Sequence, residues 1–261
     1  MVVRLLYGDD GRGSLVHVSQ APRGLACGLF CPACGTPLVA KKGAVRVPHL
    51  AHDATDQRCV GAVETVTHRL AKEIFRERRS LLLPGLSVEV KTVKGWRRNW
   101  EALLPLSATF ATVELEAQLI GVRPDALATW GRGEIVIEFR VTNATTSDKL
   151  ARLRCLGLAT VEIDLRKWAR WDVDKGALTN AVVMSAPREW LTVPTLFASE
   201  MAEAFRAWSE RWERRDGERE LELELEAAAI QRKEQRRLAW EQTVQELQAA
   251  AIRMGIRASG G

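Results

Sequence analysis

Hydrophobic and polar positions divide the chain into three stretches. Up to residue 61 the apolar residues come in short runs: Val2–Tyr7 and Ser14–Ser19 alternate loosely on either side of GDDGRG, and Pro37–Lys41 runs through Lys42-Gly43 to Val45–His49. Period-two alternation interrupted by glycine-rich turn residues predicts two β-hairpins. In residues 62–198 the pattern is mixed. Val63, Val66, Leu70 and Ile74 recur at helical spacing and predict a helix from Val63 to about Ser80. Arg76, Arg78 and Arg79 fall near its C-terminus, where cations oppose the negative end of the helix dipole. Strand patterns follow at Ser87–Val93, Ala111–Ile120, Asp125–Trp130 and Glu134–Val141. The cluster Thr145-Thr146-Ser147-Asp148 is a helix start, predicting a helix to Gly157, and Thr160–Leu165 is a further strand. The order helix, strands, helix, strand makes this stretch α+β or α/β.

From Ser199 to about Met254 there is no proline and a single glycine, Gly217, and Ala, Glu, Arg, Leu and Gln dominate. That is long-helix composition. A continuous helix of this length would span roughly 80 Å, with Gly217 the candidate break. Phe205, Trp208 and Trp212 form one apolar stripe and Leu221, Leu225 and Ala228 another, but Arg232 and Gln235 interrupt its continuation. No sustained heptad results, which argues against a strict two-stranded coiled coil. The expected domains are a small β-rich module at 1–61, a mixed α and β domain at 62–198, and a helical tail at 199–261 serving oligomerisation or partner docking.

With 46% hydrophobic and 27% charged residues the composition is that of a globular protein. No apolar run approaches the roughly 18–20 residues of a membrane span. The N-terminal MVVRLLYGDDGRG lacks an apolar core followed by a small-residue cleavage site, so a cytoplasmic location is expected, with no membrane contact. The formal net charge of +5 is unevenly spread. The first 199 residues carry 27 basic and 20 acidic side chains, a net of +7, and the remainder a net of −2. A basic body is compatible with nucleic acid, and the tail with a protein partner.

Four of the five cysteines fall between Cys27 and Cys59. Without an export signal, such a cluster reads as metal ligation rather than as a disulfide framework. Cys31-Pro-Ala-Cys34-Gly35 is a thiolate knuckle, with His49, His52 and Cys59 downstream. The spacing C-x2-C-x14-H-x2-H suits a closed tetrahedral Zn²⁺ site, as does a set that uses Cys59. Cys31, Cys34 and Cys59 are the expected structural-zinc ligands with one histidine, either His49 or His52. Cys27 and Cys155 are expected to be packed thiols.

A second constellation is Arg123-Pro-Asp125 followed, after twelve residues, by Glu138-Phe-Arg140. Period two puts Val136, Glu138 and Arg140 on one strand face and Ile135, Ile137, Phe139 and Val141 on the other. Asp125 at the start of the neighbouring strand can stand beside Glu138. Two such carboxylates repel unless a divalent cation, Mg²⁺ or Mn²⁺, lies between them, and a cross-strand ion pair is the alternative. Glu64 and His68 lie one turn apart on the preceding helix and add a carboxylate and an imidazole. In KTVKGWRRNW, Lys94, Arg97 and Arg98 interleave with Trp96 and Trp100, a combination suited to a nucleic-acid backbone or an unpaired base.

The element order and the placing of these acids resemble the αβββαβ core of the PD-(D/E)XK restriction-endonuclease-like nucleases. CPACGTPLVAKKG, PHLAH, Cys59, ETVTHRLAK, VRPDAL, IVIEFR and SDKLARLRCLGLATVEIDL, in that order over roughly residues 22–166, resemble the competence-protein CoiA family. The resemblance implies a zinc-ribbon-like module joined to a PD-(D/E)XK nuclease-like domain. By position it implies Asp125 and Glu138 as metal-binding acids, Glu64 as the first-helix acid, His68 as its companion and Arg152 as a basic residue of the following helix. Arg140 stands where the wider superfamily has Lys and CoiA-like proteins often have Gln; it keeps a charge but cannot deprotonate.

The leading expectation is a metal-dependent enzyme that hydrolyses DNA, in DNA uptake and recombination or in defence against foreign DNA. Asp125, Glu138, Arg140 and Glu64 are its catalytic set, and His68, Lys94, Arg97, Arg98 and Arg152 its nucleic-acid contacts. The alternatives are a catalytically weak or inactive nuclease-fold protein that binds DNA or a partner without cutting, favoured by Arg140, and an assembly subunit organised by its tail.

Overall fold

The structure is a computed structural model and describes residues 4–53, 59, 61–91, 95, 97–131, 133–192 and 197–253. Four strands open the chain: β1 (Tyr7–Asp9), β2 (Leu15–His17), β3 (Leu38–Lys41) and β4 (His49–His52). Helix α1 (Ala62–Arg78) follows, then strands β5 (Ser80–Leu83), β6 (Leu86–Lys91), β7 (Arg97–Leu103), β8 (Leu106–Thr109), β9 (Thr112–Leu115), β10 (Ala126–Trp130) and β11 (Gly133–Arg140). Helix α2 (Ser147–Cys155), strand β12 (Ala159–Asp164), helix α3 (Lys175–Asn180), strand β13 (Arg188–Trp190) and helix α4 (Ala198–Arg253) complete a mixed α+β chain. Its contacts divide it into two compact units, one of residues 1–90 with 99–202 and the other of residues 91–98 with 203–261.

In the first unit both N-terminal hairpins form, each shifted from the sequence expectation. Asp9 Oδ1 accepts the Gly11 amide at 2.7 Å, and Asp10 Oδ1 accepts those of Arg12 and Ser14 at 2.8 and 3.0 Å. These aspartates tie the turn, so β1 begins at Tyr7, where alternation had ended the strand. In the second hairpin β3 pairs with His49–His52 instead of Val45–His49, in the register Leu38↔His52 and Lys41↔His49. Val45 and Val47 are exposed in the connection.

The central feature is a five-stranded sheet in the order β13-β12-β11-β10-β9. β11 and β12 run parallel and the other pairs antiparallel. Ile135, Ile137 and Phe139 of β11 join Val66, Leu70, Ile74 and Phe75 of α1 in the main core. Full burial of each such aliphatic side chain is worth about 1.5–3 kcal/mol. On the opposite face Val136 packs with Leu127 and with Leu153 of α2. Both faces of β11 are therefore covered by helices, and Glu138, on the same face as Val136, is only 4% exposed. Thr146 caps α2, its Oγ1 accepting the Lys149 amide at 3.3 Å. The carboxyl ends of the two parallel strands thus open onto the start of α2, where parallel sheets form ligand crevices.

In the second unit α4 is continuous through Gly217. The expected break is absent because one glycine costs a helix only about 1 kcal/mol and strong helix formers flank it. Phe205 stacks on Trp208 at 5.9 Å, Trp208 meets Trp212 at 6.4 Å, and the Arg98 guanidinium lies 4.7 Å from the Trp212 ring. Arg98 also reaches Asp216 at 3.6 Å. Beyond Gly217, Leu221, Leu225, Ile230, Leu238, Trp240 and Leu247 are exposed. No helix among the described residues is long and apolar enough to cross a membrane.

Candidate metal centre and acidic cleft

Both sequence constellations form in the first unit. Cys31 and Cys34 occupy the turn ahead of β3, where the Cys31 amide donates to Thr36 O at 2.8 Å and the Gly35 amide to Cys31 O at 2.9 Å. Gly35 has a φ of 70°, the left-handed conformation a knuckle requires. His52 ends β4, and Cys59 completes a group of four donor atoms lying within 4.8 Å of one another. Ligands held tetrahedrally by one Zn²⁺ stand about 3.5–3.8 Å apart. The Cys31 and Cys59 sulfurs are 3.7 Å apart, and Cys34 Sγ is 3.3 Å from His52 Nε2. The donor set and its spacing fit zinc.

The choice between the two histidines follows from strand geometry. They are three residues apart on β4, so they face opposite sides. His52 faces the cysteines, while His49 is buried, with Nδ1 2.9 Å from Val47 O and its ring 6.5 Å from that of Trp171. Cys27 is buried and donates to Leu38 O at 3.0 Å. Cys155, expected to pack, is exposed at the end of α2, because helical periodicity turns it away from Leu153.

The thiols affect one another. Burial pushes Cys59 up to about 12, reinforced by the neighbouring sulfurs of Cys31 and Cys34. Burial raises Cys31 as well. Burial opposes ionisation of Cys34 too, but hydrogen bonds from Thr36, Cys31 and His52 outweigh it and bring Cys34 down to about 6. Three sulfurs this close cannot all ionise unaided, and a divalent cation removes that obstacle.

The second site is a cleft of about 230 Å³ lined by, among others, Glu64, His68, Asp125, Glu138, Lys149 and Glu162. Asp125 precedes β10 and lies across from Glu138, since Ala126 pairs with Ile137. Its Oδ2 accepts His68 Nε2 at 2.8 Å and the Phe139 amide at 2.9 Å. The loop before it is fastened by Glu116, whose φ is 53° and whose amide donates to Asp125 O at 3.0 Å. Glu116 is itself held by Lys72 at 2.6 Å and by Arg123. Burial works against the Asp125 charge, but the His68 hydrogen bond and charge, with the Phe139 amide, prevail and hold its carboxyl below the ordinary value.

Glu138 behaves in the opposite way. Burial, then repulsion from Asp125, drives it up to about 7, against the opposing pull of Lys149. Its Oε2 accepts Lys149 Nζ at 2.7 Å and the Asp125 backbone amide also stands by the carboxylate, while Oε1 is buried without a well-aligned hydrogen-bond partner among the described residues. A buried carboxylate oxygen without a donor is costly, and a cation beside it would satisfy it. Glu64, at the start of α1, accepts a hydrogen bond from Thr142.

The cleft thus gathers Glu64, His68, Asp125 and Glu138. Arg140 lines it too, but points to Glu162, its Nη1 3.8 Å from Oε1. Arg152 is not among the lining residues and donates to Gly121 O. Arg98 is engaged within the second unit by Asp216 and Trp212, and Arg97 is exposed in the same unit. Lys94 and Trp96 lie outside the described residues. Two charged residues of the cleft, among those described, escaped the sequence reading. Glu162 is the register partner of Glu138 on β12, and Lys149 stands in the first turn of α2. A cation in a first helical turn opposes the dipole, which was the available sign of an anion nearby.

Residues 26–60 match the family model described as "Competence protein CoiA, N-terminal domain". This segment contains Cys31, Cys34, His52 and Cys59, so the metal centre lies inside the matched domain. No curated protein and no solved structure gives a significant match to the chain.

Proposed function

We propose that this chain, with its CoiA N-terminal domain, is a metal-dependent nuclease of the PD-(D/E)XK type acting on DNA. The observation that carries the reading is the buried pair of carboxylates, Asp125 and Glu138, in one cleft, with Glu138 Oε1 lacking a well-aligned partner among the described residues. Hard oxygen donors of this kind suit Mg²⁺ or Mn²⁺, with Asp125 and Glu138 as the protein ligands. Such an ion, when bound, supplies Lewis acidity and a more acidic water. The chain's own residues prepare the rest. His68 and the Phe139 amide keep Asp125 ionised and fixed in place. Glu64 lines the same cleft, tethered by Thr142, where it can accept a hydrogen bond from an incoming water. The zinc knuckle holds the N-terminal module, which contributes Asp9 to an ion pair with Arg69 of α1 at 2.7 Å.

The test is cleavage of labelled DNA in Mg²⁺ or Mn²⁺ by the full chain against an Asp125→Ala, Glu138→Ala double variant. Loss of cleavage with the fold retained is the expected result; equal cleavage by the two proteins overturns the reading. A second reading, DNA binding without cleavage, is favoured by the turning of Arg140 toward Glu162. It predicts DNA affinity unchanged by EDTA and no cleavage in any divalent metal.

A further inference from the structure

The nuclease reading leaves open which cation meets the phosphate. We propose that Lys149 of α2, and not Arg140 of β11, faces the scissile phosphate in the acidic cleft, an inference that rests on that reading.

Glu138 and Glu162 stand side by side on parallel strands, each with its own basic partner. Lys149 Nζ lies 2.7 Å from Glu138 Oε2, and Arg140 Nη1 lies 3.8 Å from Glu162 Oε1. Glu162 is 4% exposed, and its other oxygen accepts the Thr145 amide at 2.8 Å. Arg140 is the cation beside this buried charge, so removing it would leave Glu162 with that amide, although Arg140 Nε is itself buried without a hydrogen-bond partner among the described residues. Lys149 is placed differently. It sits on the first turn of α2 at the cleft, and an ammonium has three donors, of which the Glu138 contact uses one. Thr145 and Thr146, at the start of α2, line the cleft beside it.

The chemistry asks little of the cation. A water oxygen bonds to phosphorus, the bond from phosphorus to the leaving deoxyribose oxygen breaks with its electron pair on that oxygen, the attacking water's proton passes to solvent, and the leaving oxygen takes a proton from solvent to become the hydroxyl. Lys149 keeps its proton and donates to a non-bridging phosphate oxygen, where negative charge grows. An ammonium on a flexible stem can turn from Glu138 to the phosphate as the substrate enters.

The experiment compares full-length Lys149→Met, Lys149→Arg, Arg140→Met and the paired Arg140→Met/Glu162→Gln variant, which strands no buried charge. Two quantities are read: single-turnover DNA cleavage in Mn²⁺, and the salt dependence of DNA binding in Ca²⁺. Lys149→Met is expected to lose about 100-fold or more in cleavage, the usual effect of removing one charge-stabilising donor. Its binding should lose about one unit of log–log salt slope. Lys149→Arg should restore the slope and part of the rate. The paired variant should lose at least tenfold less in rate than Lys149→Met and keep the slope. The opposite ranking, or an unchanged slope in Lys149→Met, overturns the proposal while leaving the nuclease reading intact. Equal cleavage by wild type and the double acid variant, or no DNA binding by wild type, removes the nuclease reading and this inference with it.

Discussion

Nε2 of His68 stands 2.8 Å from Oδ2 of Asp125, and the same oxygen accepts the Phe139 amide. Through this bond α1 on one face of the sheet reaches an acid that opposes Glu138 across the β10–β11 pair. Removing the imidazole leaves a largely buried carboxylate with one donor fewer, so His68→Ala should cost about 1–3 kcal/mol near neutral pH. The sign of the pH dependence follows from the lowered Asp125 pKa. The stabilisation is present above the unfolded carboxylate value and is lost as the pH falls through the folded one. Denaturant titrations should show a gap between wild type and His68→Ala that is wide at pH 7 and closes in acid. A gap of the same size at pH 3 and pH 7 would separate His68 from the Asp125 charge.

Glu138 gives a dependence of opposite sign. Its folded pKa is raised to about 7, so burial of the neutral acid costs little at low pH and burial of the charge weighs on the metal-free fold as the pH rises. Stability from this group is complete below the unfolded value and is lost as the pH climbs through about 7. Glu138→Gln in metal-free protein should therefore gain on wild type between pH 5 and pH 9, by up to about 3 kcal/mol. Mn²⁺ should narrow that difference at high pH by binding the wild-type carboxylate. Melting curves with and without Mn²⁺ at the two pH values check both statements.

How much of this was written in the sequence depends on the range of the interaction. EIVIEFRV shows its two faces by alternation, and the helices at Ala62–Arg78 and Ser147–Cys155 show theirs by spacing and capping. The pairing of the chemical groups was less legible. Alternation put Glu138 and Arg140 on one face and suggested that they act together. The parallel neighbour β12 instead brings Glu162 to Arg140, and α2 brings Lys149 to Glu138. Neither contact is encoded within β11, since each depends on which strand pairs with it and which helix lies over it. The histidines are the converse case. His49 and His52 were equal candidates on spacing, but a single fact, the residue range of β4, assigns them to opposite faces.

The Cys31, Cys34, His52 and Cys59 cluster, as a candidate zinc site, predicts a proton count. In the metal-free cluster Cys34, brought down to about 6, is already a thiolate at pH 7, while Cys59 at about 12 and the raised Cys31 keep their protons. Zinc loading requires all three as thiolates, so the cysteines should release about two protons per chain at pH 7. Titration calorimetry in buffers of differing ionisation enthalpy measures this number. Cys59→Ser should abolish stoichiometric zinc and lower the melting temperature, whereas Cys27→Ala, whose sulfur faces Leu38 O, should keep the metal.

The tail beyond Gly217 carries a charge order that bears on self-association. Residues 218–226 hold Glu218, Glu220, Glu222, Glu224 and Glu226 against Arg219, and residues 232–237 hold Arg232, Lys233, Arg236 and Arg237 against Glu234. Between the blocks lie Ala227, Ala228 and Ala229, small enough for two helices to approach closely. A second copy laid antiparallel about this alanine segment sets each acidic block against a basic one and covers the exposed Leu221 and Leu225. A parallel copy sets like against like. Light scattering should therefore give a dimer for the full chain and a monomer for a chain ending at Ala202. Reversing the five glutamates to lysine, or the four basic residues to glutamate, should each yield monomers at moderate salt. Mixing the two reversed proteins should restore the dimer mass, because their tails then carry opposite charge throughout. A dimer that survives both reversals would place the contact elsewhere.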